Sequence, residues 1–161
     1  MFKENIDNGL SEVVVVLPYV GNKLLMQLTD FKPDIVFPGR WGFFSGSIED
    51  GEKPKETAKR ELFEEIGCRP KILHRLNIDR IPGIANLISH SFICPLTVSV
   101  KKLVLNEGLD FGFFTLKEIR LRQLFSAKAN RGYPVIDNPY IEYLVRKLMQ
   151  RVKTGKIRKC R

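Results

Sequence analysis

The segment between Pro54 and Gly67 constrains this chain more than any other. Lys55 to Ile66 contains neither glycine nor proline. Pro54 suits the first turn of a helix, where its missing N–H would go unpaired anyway. Gly67 suits the left-handed position just past the last turn. At 100° per residue with Ala58 at the origin, Leu62 and Ile66 fall at about 40° and 80°, an apolar stripe that another layer must cover. Glu65, Glu61 and Glu64 fall at about 340°, 300° and 240° on the same wheel. Three carboxylates therefore share one flank, directly beside that stripe, where like charges repel and cost helix stability. A solvated helix face would alternate signs and lie opposite the core; this flank does neither. Carboxylates clustered at the rim of a core call for a counter-charge, and their hard oxygens suit Mg²⁺ or Mn²⁺. Arg60 lies next to Glu64 on the wheel. Glu52 adds an acid in the loop feeding the helix, whose tight path Gly46 and Gly51 permit.

The rest of the chain reads as strands around this helix. Residues 12–17 are apolar and β-branched, as in a buried strand. Gly21-Asn22 signals a hairpin, and Leu24 to Leu28 returns as its second strand. Phe31 to Arg40, with Pro33, Pro38 and Gly39, is a loop, and Trp41 to Ser45 is a short strand running into Gly46. Strands are expected around 71–79, 86–94 and 96–105, and again at Phe111 to Phe114. A helix is expected over Leu116 to Phe125. Asn138-Pro139 opens a last helix in which Ile141, Leu144, Val145 and Leu148 recur at helical spacing. Strands, helix, strands, helix in that order give an α+β fold with helices on the faces of a sheet.

Length and charge narrow the setting. A chain of 161 residues makes one domain with a proper core. No apolar run approaches the roughly 20 residues of a membrane span, so no membrane partner is expected. The first residues carry acids where a secretory signal would be basic. Three cysteines, Cys68, Cys94 and Cys160, form no CxxC pair, which argues against a disulfide scaffold or a zinc site and for the cytoplasm. The net charge of +9 is concentrated at one end: eight of the 27 Lys and Arg lie between Arg146 and Arg161, with no acid among them. This divides the chain into a domain over 1–145 and a basic tail over 146–161, the end of the last helix plus a frayed terminus. A solvated tail is the ordinary reading; nucleic-acid binding is the alternative and is not favoured, because no aromatic residue interleaves the tail's charges.

The stretch Gly46–Cys68 resembles the signature of the Nudix hydrolases: Gly, then Glu after five residues, then Arg-Glu-apolar-x-Glu-Glu-x-Gly-apolar after seven more. Gly46, Glu52, Arg60, Glu61, Leu62, Glu64, Glu65 and Gly67 carry it, with Cys68 in the final apolar slot. The resemblance implies an α/β/α sandwich with a mixed sheet and the signature as loop–helix–loop. It also implies divalent-metal-dependent cleavage of the diphosphate bond in a nucleoside diphosphate linked to a further group. Carried over by position, Glu61, Glu64 and Glu65 are metal ligands, and Glu61 also helps deprotonate the water. Arg60 orients the glutamates, and Glu52 is an auxiliary ligand or a brace. The carbonyl of Ser45, where family members often have Gly, is a further ligand. Glu107, ahead of the Phe111 strand, stands where the family often places a distant carboxylate that acts as ligand or general base.

Arg40 is a candidate phosphate contact and Trp41, with Phe37, Phe43 and Phe44, a candidate to stack a base, although an aromatic residue beside a strand is more often core and an exposed loop arginine is the ordinary reading. His74 and His90 have no metal-ligand spacing and read as structural. Arg80-Ile81-Pro82-Gly83-Ile84 resembles the Pro-Gly loop of ADP-ribose-type members. It tilts the expected substrate towards a nucleotide sugar, with a modified nucleoside triphosphate close behind. A non-catalytic nucleotide-binding module and an RNA-directed hydrolase are the alternatives, and a homodimer is left open.

Overall fold

A computed structural model describes residues 10–154. Its centre is a seven-stranded mixed sheet. Strand β1 (Ser11–Val20) turns at Gly21 into β2 (Lys23–Leu28). Strands β3 (Trp41–Gly42) and β4 (Phe44–Ser47) follow, then α1 (Pro54–Ile66), β5 (His74–Arg80) and β6 (Leu87–Pro95). Strand β7 (Asp110–Thr115) leads into α2 (Leu116–Arg120). A separate hairpin of β8 (Gln123–Ser126) and β9 (Arg131–Pro134) precedes α3 (Pro139–Lys153). The sheet order is β3-β2-β1-β6-β5, with β4 also paired to β1 and β7 to β2. Among the paired strands of the described sheet, β1 and β6 run parallel and the other pairs are antiparallel.

Strand β1 is central and buried on both faces, which is why it reads as an unbroken apolar run. Its odd-numbered residues Val15, Leu17 and Tyr19 join Leu144, Val145 and Leu148 of α3 in one core. Val14 and Val16 join Ala58, Leu62 and Ile66 of α1 in the other. The molecule is thus α/β/α, and α1 seals one face with the stripe its sequence predicts. Gly67 ends α1 at φ 64°, its amide bonded to the Phe63 carbonyl and that of Cys68 to the Leu62 carbonyl.

Two expected elements are corrected. Residues 96–105 form no strand: beyond Pro95 the chain makes a connection with one 3₁₀ turn at Val100–Lys102, and only Leu96 and Leu103 in it are buried. The helix expected over Leu116 to Phe125 stops at Arg120. Arg122 sits at φ 62°, outside any helix, and Leu124 and Ser126 then alternate with exposed neighbours as β8 pairs with β9. Helix α3 runs through residue 145 to Lys153, with Leu148 fully buried beyond that point and Arg151 donating to the carbonyls of Arg75 and Leu76. Residues 155–161 of the basic tail lie outside those described.

Candidate active site on the signature helix

Strands β1 and β4 hold α1, and the three glutamates grade in exposure as their wheel positions require. Glu65, nearest the apolar stripe, is 1% exposed and Glu61 is 4% exposed. The side chain of Glu64, farthest round, is 49% exposed. Burial explains the electrostatics. The Glu65 carboxyl is pushed up to about 8 by its removal from water, with the charges of Glu61 and Glu107 adding in the same direction. Burial raises Glu61 as well.

Arg60 is the hub that balances these charges. Its Nε and Nη2 donate to the two oxygens of Glu52, each at 3.0 Å, a bidentate pair. Its Nη1 donates to Glu61 Oε1 at 2.7 Å and to Glu64 Oε2 at 3.1 Å, and Nη2 also reaches the Ser47 carbonyl at 3.1 Å. Hydrogen bonding to Arg60 brings the Glu52 carboxyl down to about 2. Both oxygens of Glu52 are therefore committed to the arginine, an arrangement that suits a brace for the loop. Among the described residues, no three His, Cys, Asp or Glu side chains are already gathered into an ion cage; the guanidinium lies between three of the carboxylates.

The fit to a cation rests on how Glu61 sits against β4. Its carboxylate lies so close over Gly46 of β4 that a Cβ there would stand 1.9 Å from Glu61 Oε1. A buried carboxylate in a cradle that only glycine leaves open, beside a second buried carboxylate, is a hard-oxygen donor set of the kind Mg²⁺ takes. Ser45 precedes this cradle on β4, paired with Val15.

Glu107 is exposed, on a turn packed against the end of α1: the Glu65 carbonyl accepts from the Asn106 amide at 2.9 Å and the Glu107 amide at 3.4 Å. The fold thus brings Glu107, distant in sequence, to the acidic flank. Trp41 is fully buried, donates from Nε1 to the Leu124 carbonyl at 3.1 Å and meets Phe114 edge-on at 4.9 Å, so its expected role in substrate contact is corrected to packing. Arg40 is half-buried, its backbone clasped by the Thr29 hydroxyl. His90 pairs with Glu12 at 2.7 Å on the sheet, and His74 opens β5, both away from any ligand cluster.

On the opposite face of β4, under α3, lies a cavity of about 90 Å³ lined by Phe37, Phe43, Ser45, Ile84, Ile136 and Tyr140, among others. Asn138 closes one side: its amide donates to the Pro82 carbonyl at 2.9 Å while its oxygen caps α3 through the Tyr140 amide. Sequence reasoning reached Phe37 and Phe43 as aromatic residues that could stack a base, but not the pocket they line with α3. In sequence Asn138 reads as the opening of the last helix and Pro82-Gly83 as a Pro-Gly loop of the ADP-ribose type; nothing in their local sequence shows that the two meet.

Comparison with known proteins agrees with this architecture. The chain is 29% identical over 127 residues to dihydroneopterin triphosphate diphosphatase of Haemophilus influenzae, covering 69% of this chain and 77% of that protein. It is 45% identical over 40 residues to RNA pyrophosphohydrolase of a Shewanella species (strain W3-18-1), spanning only 25% of this chain and 23% of that relative. The NUDIX domain of Shewanella oneidensis NrtR, solved with ADP ribose, superposes with a TM-score of 0.65 at 16% identity over 90% of this chain and 94% of that one, which shows a shared fold. The family model of the NUDIX domain matches residues 10–136, most of the chain, and on that match the chain belongs to the Nudix hydrolase superfamily.

Proposed function

We propose that this protein hydrolyses a phosphoanhydride bond in a nucleoside diphosphate linked to a further group, a nucleotide sugar or a modified nucleoside triphosphate. The observation that carries the reading is the pair of buried carboxylates on α1, Glu61 and Glu65, with Glu61 held over the Cβ-less face of Gly46. Glu61, Glu64 and Glu65, with the Ser45 carbonyl, would hold Mg²⁺ or Mn²⁺; bound there, the cation neutralises phosphate charge and makes a coordinated water more acidic. Arg60 sets the rotamers of Glu61 and Glu64 from its anchor on Glu52. Either Glu61 or Glu107 takes the proton of the attacking water. The apolar cavity under α3 receives a flat heterocycle, and the curated relative that matches most of this chain is named for a triphosphate carrying one.

A panel of nucleotide sugars, dinucleotides and modified triphosphates, incubated with Mg²⁺ and assayed for phosphate and nucleotide release, tests the reading. Turnover of at least one compound, abolished by Glu64→Gln, is expected. No turnover of any diphosphate compound, with wild type and variant alike, defeats it. A non-catalytic module would show tight nucleotide binding in that case. The RNA-directed alternative rests on relatives matched over only 40 residues of this chain and on a tail partly outside the described residues, so the small-nucleotide reading is preferred. No helix among the described residues is long and apolar enough to cross a membrane.

A further inference from the structure

We propose that Gln27 is a positioning residue for Glu107: its buried amide fixes where the Glu107 carboxylate stands relative to Glu61 and Glu65. The inference rests on the reading of Glu107 given above and adds to it how that carboxylate is held. Gln27 lies on β2 and is 2% exposed. Side chains alternate along a strand, so it shares the face of Leu25, which packs in the α1 core. A primary amide in such a layer is costly unless bonded. Its Nε2 donates at 2.9 Å to the main-chain carbonyl of Glu107, 80 positions away.

That bond is one of several clamps on the same turn. The last carbonyls of a helix have no partner within it. Here those of Glu65 and Ile66 accept from the Asn106 and Val104 amides at 2.9 and 3.1 Å. On the far side the Leu109 amide donates to the Leu28 carbonyl at 2.8 Å. Gly108, at φ 83°, sits flush on β2: a Cβ there would stand 2.7 Å from the Leu28 carbonyl oxygen and 3.0 Å from the Gln27 side chain. Glu65 thus holds the Glu107 turn through its own backbone, and Gln27 holds it from the sheet. The two carboxylates ride on one mount, α1 on one side and β2 on the other. A leucine would fill the Gln27 site for packing alone; the amide adds a fixed address for the turn.

Hydrogen exchange and steady-state kinetics on full-length Gln27→Leu test the proposal. Amides of residues 106–109 should exchange about tenfold faster while those of α1 keep their protection. On a turned-over nucleotide kcat should fall about tenfold or more with KM within twofold. Adding Gln27→Leu to Glu107→Gln should cost nothing further, because both act through one group. Unchanged exchange over 106–109 overturns the proposal, as does a penalty that multiplies in full in the double variant. Should Glu107→Gln leave kcat intact while Glu64→Gln abolishes it, the positioning role falls and the hydrolase reading stands. Absence of all turnover sinks the hydrolase reading and the positioning role with it, while exchange still reports whether Gln27 clamps the turn. Gly108→Ala attacks the same turn from its half-buried side. It should reproduce both the exchange and the kinetic pattern if Gln27→Leu does not fold.

Discussion

The metal-free protein should lose stability as pH rises, and Glu65 should be the largest single reason. Its carboxyl has an ordinary value of 4.5 and is pushed up to about 8 by burial in the fold. Between those values the unfolded chain has released the proton and the native protein still holds it. The unfolded state binds fewer protons there, so unfolding free energy falls as pH rises. The contribution is fully favourable below pH 4.5 and is lost on climbing towards 8. The slope approaches about 1.4 kcal/mol per pH unit, and the integral between pH 5 and 7.5 is about 3 kcal/mol. For a domain of this size that is about 6–12 °C in Tm. Glu65→Gln keeps the shape and stays neutral throughout, so other titrations cancel in the difference between wild type and variant. Urea unfolding in EDTA from pH 5 to 8.5 should show the variant gaining on wild type by about 3 kcal/mol between pH 5 and 7.5. Saturating Mg²⁺ should reverse the trend in wild type only, because a cation favours the charged carboxylate. A wild-type-to-variant gap that does not change with pH would refute the argument, since it would mean that the Glu65 carboxyl is ionised in the native metal-free protein across the whole range.

Gly46→Ala should push Glu61 out of its cradle, lowering kcat about 100-fold and stability by about 1–3 kcal/mol, read from nucleotide turnover and urea midpoints; full activity would show that Glu61 does not need that approach. Arg60→Lys keeps the charge but cannot make the two-pronged pair with Glu52, so kcat should drop about tenfold or more while Tm moves by only a few degrees; an unchanged kcat would leave the hub with a structural role alone. Trp41→Phe should cost about 2 kcal/mol of stability by leaving the Leu124 carbonyl without its donor, with KM within twofold; a tenfold rise in KM at unaltered stability would return Trp41 to the substrate.

The signature helix was legible because its evidence is local. Start, stop, stripe and acidic flank all lie within Pro54 to Gly67, and one rotation of 100° per residue orders the burial of Glu65, Glu61 and Glu64 as the fold has it. The partnership of Arg60 with Glu64 was legible for the same reason. What failed was set by distant neighbours. Leu116 to Phe125 has helical composition, yet Leu124 is buried by pairing with Tyr133 across a hairpin, and Arg122 takes a left-handed backbone to allow it. Residues 96–105 are apolar enough for a strand, but the Leu96 amide bonds to the Tyr19 carbonyl, those of Lys102 and Leu103 close a local turn, and that of Val104 bonds to the end of α1. Gln27 carried no signal at all: one polar residue in a strand announces neither its burial nor a partner 80 positions on.

Helix α1 holds the molecule together and carries its chemistry within the same few turns, and the two demands conflict. Ala58, Leu62 and Ile66 need the helix pressed against the sheet. The closer it is pressed, the further Glu61 and Glu65 leave water, and the more the metal-free protein suffers for their charge. Moving both acids outward would relieve that cost, but a carboxylate standing free in water is not held in one geometry and must shed its hydration to bind a cation. Burial pre-pays the desolvation and fixes the oxygens, so a cation entering later finds ligands already stripped of water. The same burial makes cation binding and folding one coupled equilibrium: any ion held by the native glutamates and not by the unfolded chain raises stability by mass action. A variant with these two acids neutralised should therefore be sturdier without metal and indifferent to it, whereas wild type should be the weaker protein in EDTA and gain steeply as Mg²⁺ is added.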